Sequence, residues 1–96
     1  MIRETDIDTQ SRYKTVTSAY TPSMFDRVIF ADSTGGDVAI TLPDASKFEG
    51  KIFSIVQIAA SNSVTIATVN GGTTTLSSQY DKYTVASNGL LWYIIG

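Results

Sequence analysis

Two aspartates, Asp32 and Asp37, bracket the segment Ser33-Thr34-Gly35-Gly36. A pair of carboxylates held face to face is what hydrolysis of a glycosidic bond requires. The same loop offers carboxylate and carbonyl oxygens that a calcium ion accepts, although its spacing is not that of an EF-hand. Aspartate beside glycine is first of all turn chemistry, its side chain accepting from the backbone two residues on. A serine nucleophile would need a base, and the chain contains neither histidine nor cysteine. That removes the commonest general base, the commonest metal ligands and all thiol chemistry. Lys47 and Lys51 lie near Ser46 and Ser54, yet no Gly-x-Ser-x-Gly elbow surrounds either serine. The expectation is a protein that is not an enzyme, with no catalytic residue, no metal and no cofactor.

The aromatic residues are the more informative group. Tyr80, Tyr83, Trp92 and Tyr93 cluster late in the chain, while Tyr13 and Tyr20 lie early. Exposed rings stack on sugar faces or on nucleobases. A net charge of -2 offers no basic footprint for a nucleic-acid backbone, so nucleic acid is not expected as a partner. Tyr80 and Tyr83 stand as candidate glycan contacts. Trp92 is expected to fill the core, with its indole N–H satisfied at a strand end.

The second half of the chain raises a different possibility. From Ile52 to Gly96 only Asp81 and Lys82 carry charge, whereas a lone soluble domain spreads charges of both signs over its surface. The closing segment Leu90-Leu91-Trp92-Tyr93-Ile94-Ile95 is apolar on both faces. A surface of that kind is normally covered, which nominates Leu91, Tyr93 and Ile95 as an oligomer interface. No apolar run approaches the ~20 residues of a membrane helix, and the polar start of the chain is unlike a signal peptide.

These residues need elements to position them. Ninety-six residues make one domain with a thin core. Residues 1–12 show neither helical nor strand periodicity and read as an extended arm, which is ordered only when something holds it down. Ile2 and Ile7 are its apolar anchors, and Arg3, Glu4 and Arg12 its charged contacts, so the arm is expected to attach the domain to a partner. From residue 13 to residue 96 the pattern is short alternating strands divided by turns. Thirteen threonines and eleven serines favour strands over helices. Eight strands are expected: residues 13–20, 26–31, 38–42, 52–58, a strand around Val64 and Ile66, a short 73–76, a strand around Tyr83 and Val85, and 90–95. The strand at 52–58 is apolar on both sides and reads as central. Ser33-Thr34-Gly35-Gly36 reads as a tight hairpin turn, Asn70-Gly71-Gly72 and Asn88-Gly89 as further turns. Residues 43–50 have room for one helical turn capped by Asp44 or Ser46. The fold class that follows is all-β: a single antiparallel β-sandwich, jelly-roll-like, of about eight short strands with an extended N-terminal arm.

The order of landmarks carries a resemblance. Phe30-Ala31-Asp32, Gly35-Gly36, Val38-x-Ile40-x-Leu42-Pro43, Gly50-Lys51, Val64-x-Ile66, Gly71-Gly72, Tyr83-Thr84 and Asn88-Gly89-x-x-Trp92 follow one another. Together they resemble a β-module of tailed-phage virion proteins, found in head fibres, capsid decoration proteins and tail fibre tips. The resemblance implies a structural bacteriophage component, commonly a homotrimer, that decorates or caps the capsid or tail through its N-terminal segment. Its partners would be copies of itself and a major capsid or tail protein. Its place would be the virion, assembled in the host cytoplasm, with no membrane contact. The rival expectation is a receptor-binding tip whose loops at residues 33–37, 70–74 and 87–90 touch a host surface glycan.

Overall fold

A computed structural model describes residues 12–96. Eight strands run in chain order: β1 (Tyr13–Val16), β2 (Val28–Ala31), β3 (Val38–Thr41), β4 (Ile52–Gln57), β5 (Val64–Val69), β6 (Gly72–Leu76), β7 (Lys82–Ser87) and β8 (Trp92–Ile94). A single 3₁₀ turn, Ala45–Lys47, lies between β3 and β4, with the Asp44 side chain accepting from Ser46 N at its start. No helix among the described residues is long and apolar enough to cross a membrane.

Alternation along the strands decides which side is inside, because successive side chains point to opposite faces. Ile29 and Ala31, Val38 and Ile40, Phe53 and Ile55, and Val64 and Ile66 are buried in this way. Leu76, Val85 and Trp92 complete the same cluster. Each fully buried large side chain contributes about 1.5–3 kcal/mol, so this single inward face is the dominant source of stability. Trp92 is 1% exposed and lies 5.2 Å from the Phe53 ring, with Phe48 against both. Its indole Nε1 donates to the Pro43 carbonyl at 2.7 Å, which is the strand-end partner the sequence called for.

The strands join into one nearly closed, barrel-like sheet in the order β1-β2-β4-β7-β8-β5-β3, with β6 on β5. The expected antiparallel sandwich gives way here. β1–β2, β2–β4, β3–β5 and β5–β8 pair in parallel, while β4–β7, β5–β6 and β7–β8 are antiparallel, so the sheet is mixed. Near-closure comes from the chain just beyond β1. Tyr20 N donates to Ala39 O and Thr41 N donates to Tyr20 O, which ties the segment leaving one sheet edge to β3 at the other. β4 is central, between β2 and β7, as its two-faced composition predicted.

Residues 33–36 do not make a hairpin, because β2 and β3 are not partners. The loop is instead bound to the segment before β5. Asn62 Nδ2 donates to Ser33 O at 2.8 Å, Ser63 N donates to Asp37 Oδ1 at 2.9 Å, and Val38 N donates to Ser63 O at 3.0 Å. Those bonds deliver β3 to β5. The turn at Asn70-Gly71 does close a hairpin, with both residues at positive φ and Val69 facing Gly72, as a two-residue type I′ turn demands. The last strand is shorter than residues 90–95. Asn88 Oδ1 accepts from Leu90 N and Leu91 N, which holds both leucines in the turn.

Candidate functional site

The residues with catalytic potential are committed to structure. Asp32 Oδ1 accepts from Thr34 N at 3.0 Å and from Thr34 Oγ1 at 2.6 Å, and these bonds hold its carboxyl below the ordinary range. Asp37 anchors Ser63 N. Asp44 caps the 3₁₀ turn through Ser46 N and Oγ, which lowers its pKa as well. Ser54 Oγ pairs with Thr84 Oγ1 at 3.1 Å rather than with a lysine. Lys51 Nζ lies 5.3 Å from the Phe53 ring centroid. Its pKa is lowered by burial and by the nearby charge of Arg27, with Asp26 opposing. Among the described residues no three His, Cys, Asp or Glu side chains are grouped to hold a metal ion.

One buried carboxylate has a clear architectural task. Asp26 accepts from Ser23 N at 2.9 Å and from the Tyr20 hydroxyl. Burial first, then the bond and the charge of Asp26, push the Tyr20 hydroxyl up to about 12. This pair fixes the residue that ties the two sheet edges together.

The candidate glycan contacts separate. Tyr80 is 71% exposed and sits at φ 72, a left-handed conformation that costs an aromatic residue strain. Its backbone N–H donates to Gln57 O at 2.7 Å, which holds it in place. Tyr83 pairs with Ile55 and is partly buried against the core, whereas the Tyr80 side chain is exposed. The three loops also divide. Residues 33–37 follow the end of β2, while residues 87–90 follow the end of β7. β7 runs against β4, which is parallel to β2, so those loops lie at opposite ends of the sheet. Residues 70–74 lie with the latter group, where Asn70 Oδ1 accepts from Ile94 N.

Leu91, Tyr93 and Ile95 are 42%, 41% and 59% exposed. Tyr93 points outward between inward-facing Trp92 and half-buried Ile94, and strand register shows what surrounds it. One row of paired residues reads Ile52–Ala86–Tyr93. The next reads Tyr13–Val28–Ser54–Thr84, and Ile95 N donates to Thr84 O at its end. A third reads Thr15–Phe30–Val56–Lys82. Residues opposite one another in a sheet share a face, so these rows form one continuous outer surface across β1, β2, β4, β7 and β8. It carries a single charged side chain, Lys82, at a corner.

The outward side of β3, β5 and β6 is built differently. Its rows are Ala39–Thr65–Thr75 and Thr41–Ala67–Thr73, all small or hydroxylated. Strand alternation puts Val28 with Phe30, and Ile52 with Val56, but nothing local joins those pairs to Tyr13 or Tyr93. Pairing between distant strands was the missing signal.

The arm contacts Ile2, Arg3, Glu4 and Ile7 lie outside the described residues. Arg12, the last of that group, is exposed, and its carbonyl accepts from Arg27 N and Val28 N at 2.9 and 3.1 Å. Arg12 is thereby held beside the start of β2. Neither protein-family models nor curated protein sequences match this chain.

Proposed function

We propose that this chain is a non-catalytic structural component of a bacteriophage virion that self-associates, as a homotrimer, and attaches to a capsid or tail protein through residues 1–12. The observation that carries the self-association is the exposure of Leu91, Tyr93 and Ile95 on a nearly chargeless surface. A monomer leaves scattered apolar residues in water, not a contiguous sheet face of them. The virion assignment is supported by the order of landmarks from Phe30 to Trp92 and by the roles those landmarks take. Val38, Ile40 and Leu42 point into the core before Pro43, and Asn88-Gly89 turns the chain into buried Trp92. The engagement of Asp32, Asp37, Ser46 and Ser54 in hydrogen bonds supports a role without catalysis.

Light scattering over a dilution series tests the reading. Three copies of the 10.4 kDa chain are expected; a single copy at high concentration overturns it. Deleting residues 1–10 should leave a folded, assembled domain that no longer joins a particle. A second reading, a receptor-binding tip, is favoured by the outward Tyr80 ring alone. Glycan-array binding that disappears in Tyr80→Ala would select it.

A further inference from the structure

We infer that the outer face of β1, β2, β4, β7 and β8 is the contact surface between copies of this chain. The inference rests on the reading of the protein as self-associating and names both the surface and what covers it. Four observations carry it.

The face is apolar where a solvated sheet would be polar. Tyr13, Val28, Phe30, Ile52, Val56, Ala86, Tyr93 and Ile95 dominate its rows. An antiparallel or mixed sheet with one wet side normally alternates apolar-in with polar-out, and the β3–β5–β6 side of this molecule does so.

Its central polar groups are already satisfied. Ser54 Oγ and Thr84 Oγ1 lie in the middle row and bond each other at 3.1 Å. A hydroxyl without a partner is costly to cover, and one that is hydrogen-bonded is not. Tyr13 and Phe30 already meet edge to face at 5.8 Å on the flank, which fixes both rings before any contact.

Its apolar groups are continuous from flank to flank. Tyr13, Ile52, Tyr93 and Ile95 are exposed, and the partly buried Val28, Phe30 and Val56 lie between them. A contiguous apolar patch of this kind marks a contact surface.

Its charge selects the partner. The rows hold no carboxylate and one ammonium, Lys82, at the edge, so a strongly charged partner finds nothing to pair with. Another copy of the chain brings the matching surface of aliphatic, aromatic and hydroxyl groups. Because the sheet curls almost to closure, the β1–β2 flank and the β7–β8 flank look in different directions. Contact of one copy's flank with the opposite flank of the next would be head-to-tail, the kind of contact that a closed trimeric ring uses.

The test uses the full chain. Wild type, Ile52→Lys and Tyr93→Lys are compared by sedimentation velocity, with far-ultraviolet circular dichroism to check folding. Wild type should sediment as an assembly, and both variants as folded single chains. The absence of cysteine makes Ile52→Cys a chain with one thiol. That thiol should alkylate at least about tenfold more slowly in the assembly than in the Tyr93→Lys background, since reaction then waits on local opening. An assembled wild type with both lysine variants still assembled, or with an equally reactive thiol, removes this face while leaving self-association standing. A wild type that is a single chain removes both. Should a lysine variant unfold, thiol protection in the Ile52→Cys assembly against its diluted, dissociated form decides the matter.

Discussion

The outward surfaces of the two halves of this sheet differ although their inward surfaces are alike. On β3, β5 and β6 the outside is Ala39, Thr41, Thr65, Ala67, Thr73 and Thr75. On β1, β2, β4, β7 and β8 it is Tyr13, Val28, Phe30, Ile52, Val56 and Tyr93. Inside, both halves supply the same aliphatic layer around Phe53 and Trp92. Packing demands explain the inside of both halves and the outside of neither. Folding a single chain would be served as well by threonines on every outward position. On the proposed reading, the aliphatic and aromatic half is the side that meets another copy, and the threonine half is the side that stays in water.

The contrast between inside and outside predicts the largest effect. Trp92→Ala removes the ring packed on Phe53 and Phe48 and the bond to Pro43 O. Loss of a buried aromatic costs about 3–5 kcal/mol, a large share of the stability of a chain this size. Denaturant unfolding should show a midpoint collapse or no folded baseline. Ile52→Ala, on the outer face, should cost the single chain less than about 1 kcal/mol because that side chain is already 44% exposed. Comparable losses at the two positions would mean that the outer face is part of the chain's own core.

Sheet closure supplies the next effect. Tyr20→Phe removes the hydroxyl donated to Asp26, and a hydrogen bond to a charged group is worth about 1.5–3 kcal/mol. The same bond makes stability pH-dependent. The Tyr20 hydroxyl titrates near 12 in the folded chain and at 10.0 without its surroundings. A raised pKa means the folded state holds the proton more tightly. The contribution is whole below pH 10 and is lost as pH rises toward 12. The difference in denaturant midpoint between wild type and Tyr20→Phe should therefore narrow across that interval. Lys51, whose pKa is lowered, titrates in both proteins and cancels in the difference. A difference that stays constant to pH 12 would mean that the Tyr20 hydroxyl is not held by Asp26 in the folded chain.

A smaller effect belongs to the cap of the 3₁₀ turn. Asp44→Ala removes the acceptor for Ser46 N and Oγ and should lower stability slightly, less than Tyr20→Phe does. The pKa of Asp44 is lowered in the folded chain, so its contribution is present above the ordinary carboxylate range and fades as pH falls through the folded value. Thermal unfolding of wild type and variant should converge in acid.

The strands, the buried tryptophan with its strand-end acceptor, the Asn70-Gly71 hairpin and the capped turn at residues 44–47 were legible because each is decided locally. Alternation names an inward face, Asn-Gly accepts positive φ, and aspartate caps a turn. The parallel pairings were not legible. Ser33-Thr34-Gly35-Gly36 has the chemistry of a hairpin turn, yet Asn62 and Ser63, twenty-nine and twenty-six residues beyond Ser33 and Asp37 respectively, capture that loop and send β3 to β5. The candidate surface failed to emerge whole for the same reason. Leu91, Tyr93 and Ile95 stood out through their density of apolar groups, while Tyr13 joins them only through a register running across β2, β4 and β7.

The smallest expected effect is the sharpest control on the division of the outer surface. Thr75 faces outward on β6 opposite Thr65, with its side chain exposed. Lysine at that position keeps a long apolar stem on the sheet and a charge in water, and the nearest charged residues in sequence are Asp81 and Lys82. Thr75→Lys should change stability by no more than about 0.5 kcal/mol and leave the sedimentation of the assembly unaltered. The same lysine at Val56, between Phe30 and Lys82 on the other half, puts a second ammonium beside the first under a covering surface, where an unpaired charge is expensive. Val56→Lys should dissociate the assembly. If Thr75→Lys dissociates it as well, copies meet through both halves, and the threonine rows cannot be read as the side this fold keeps in water.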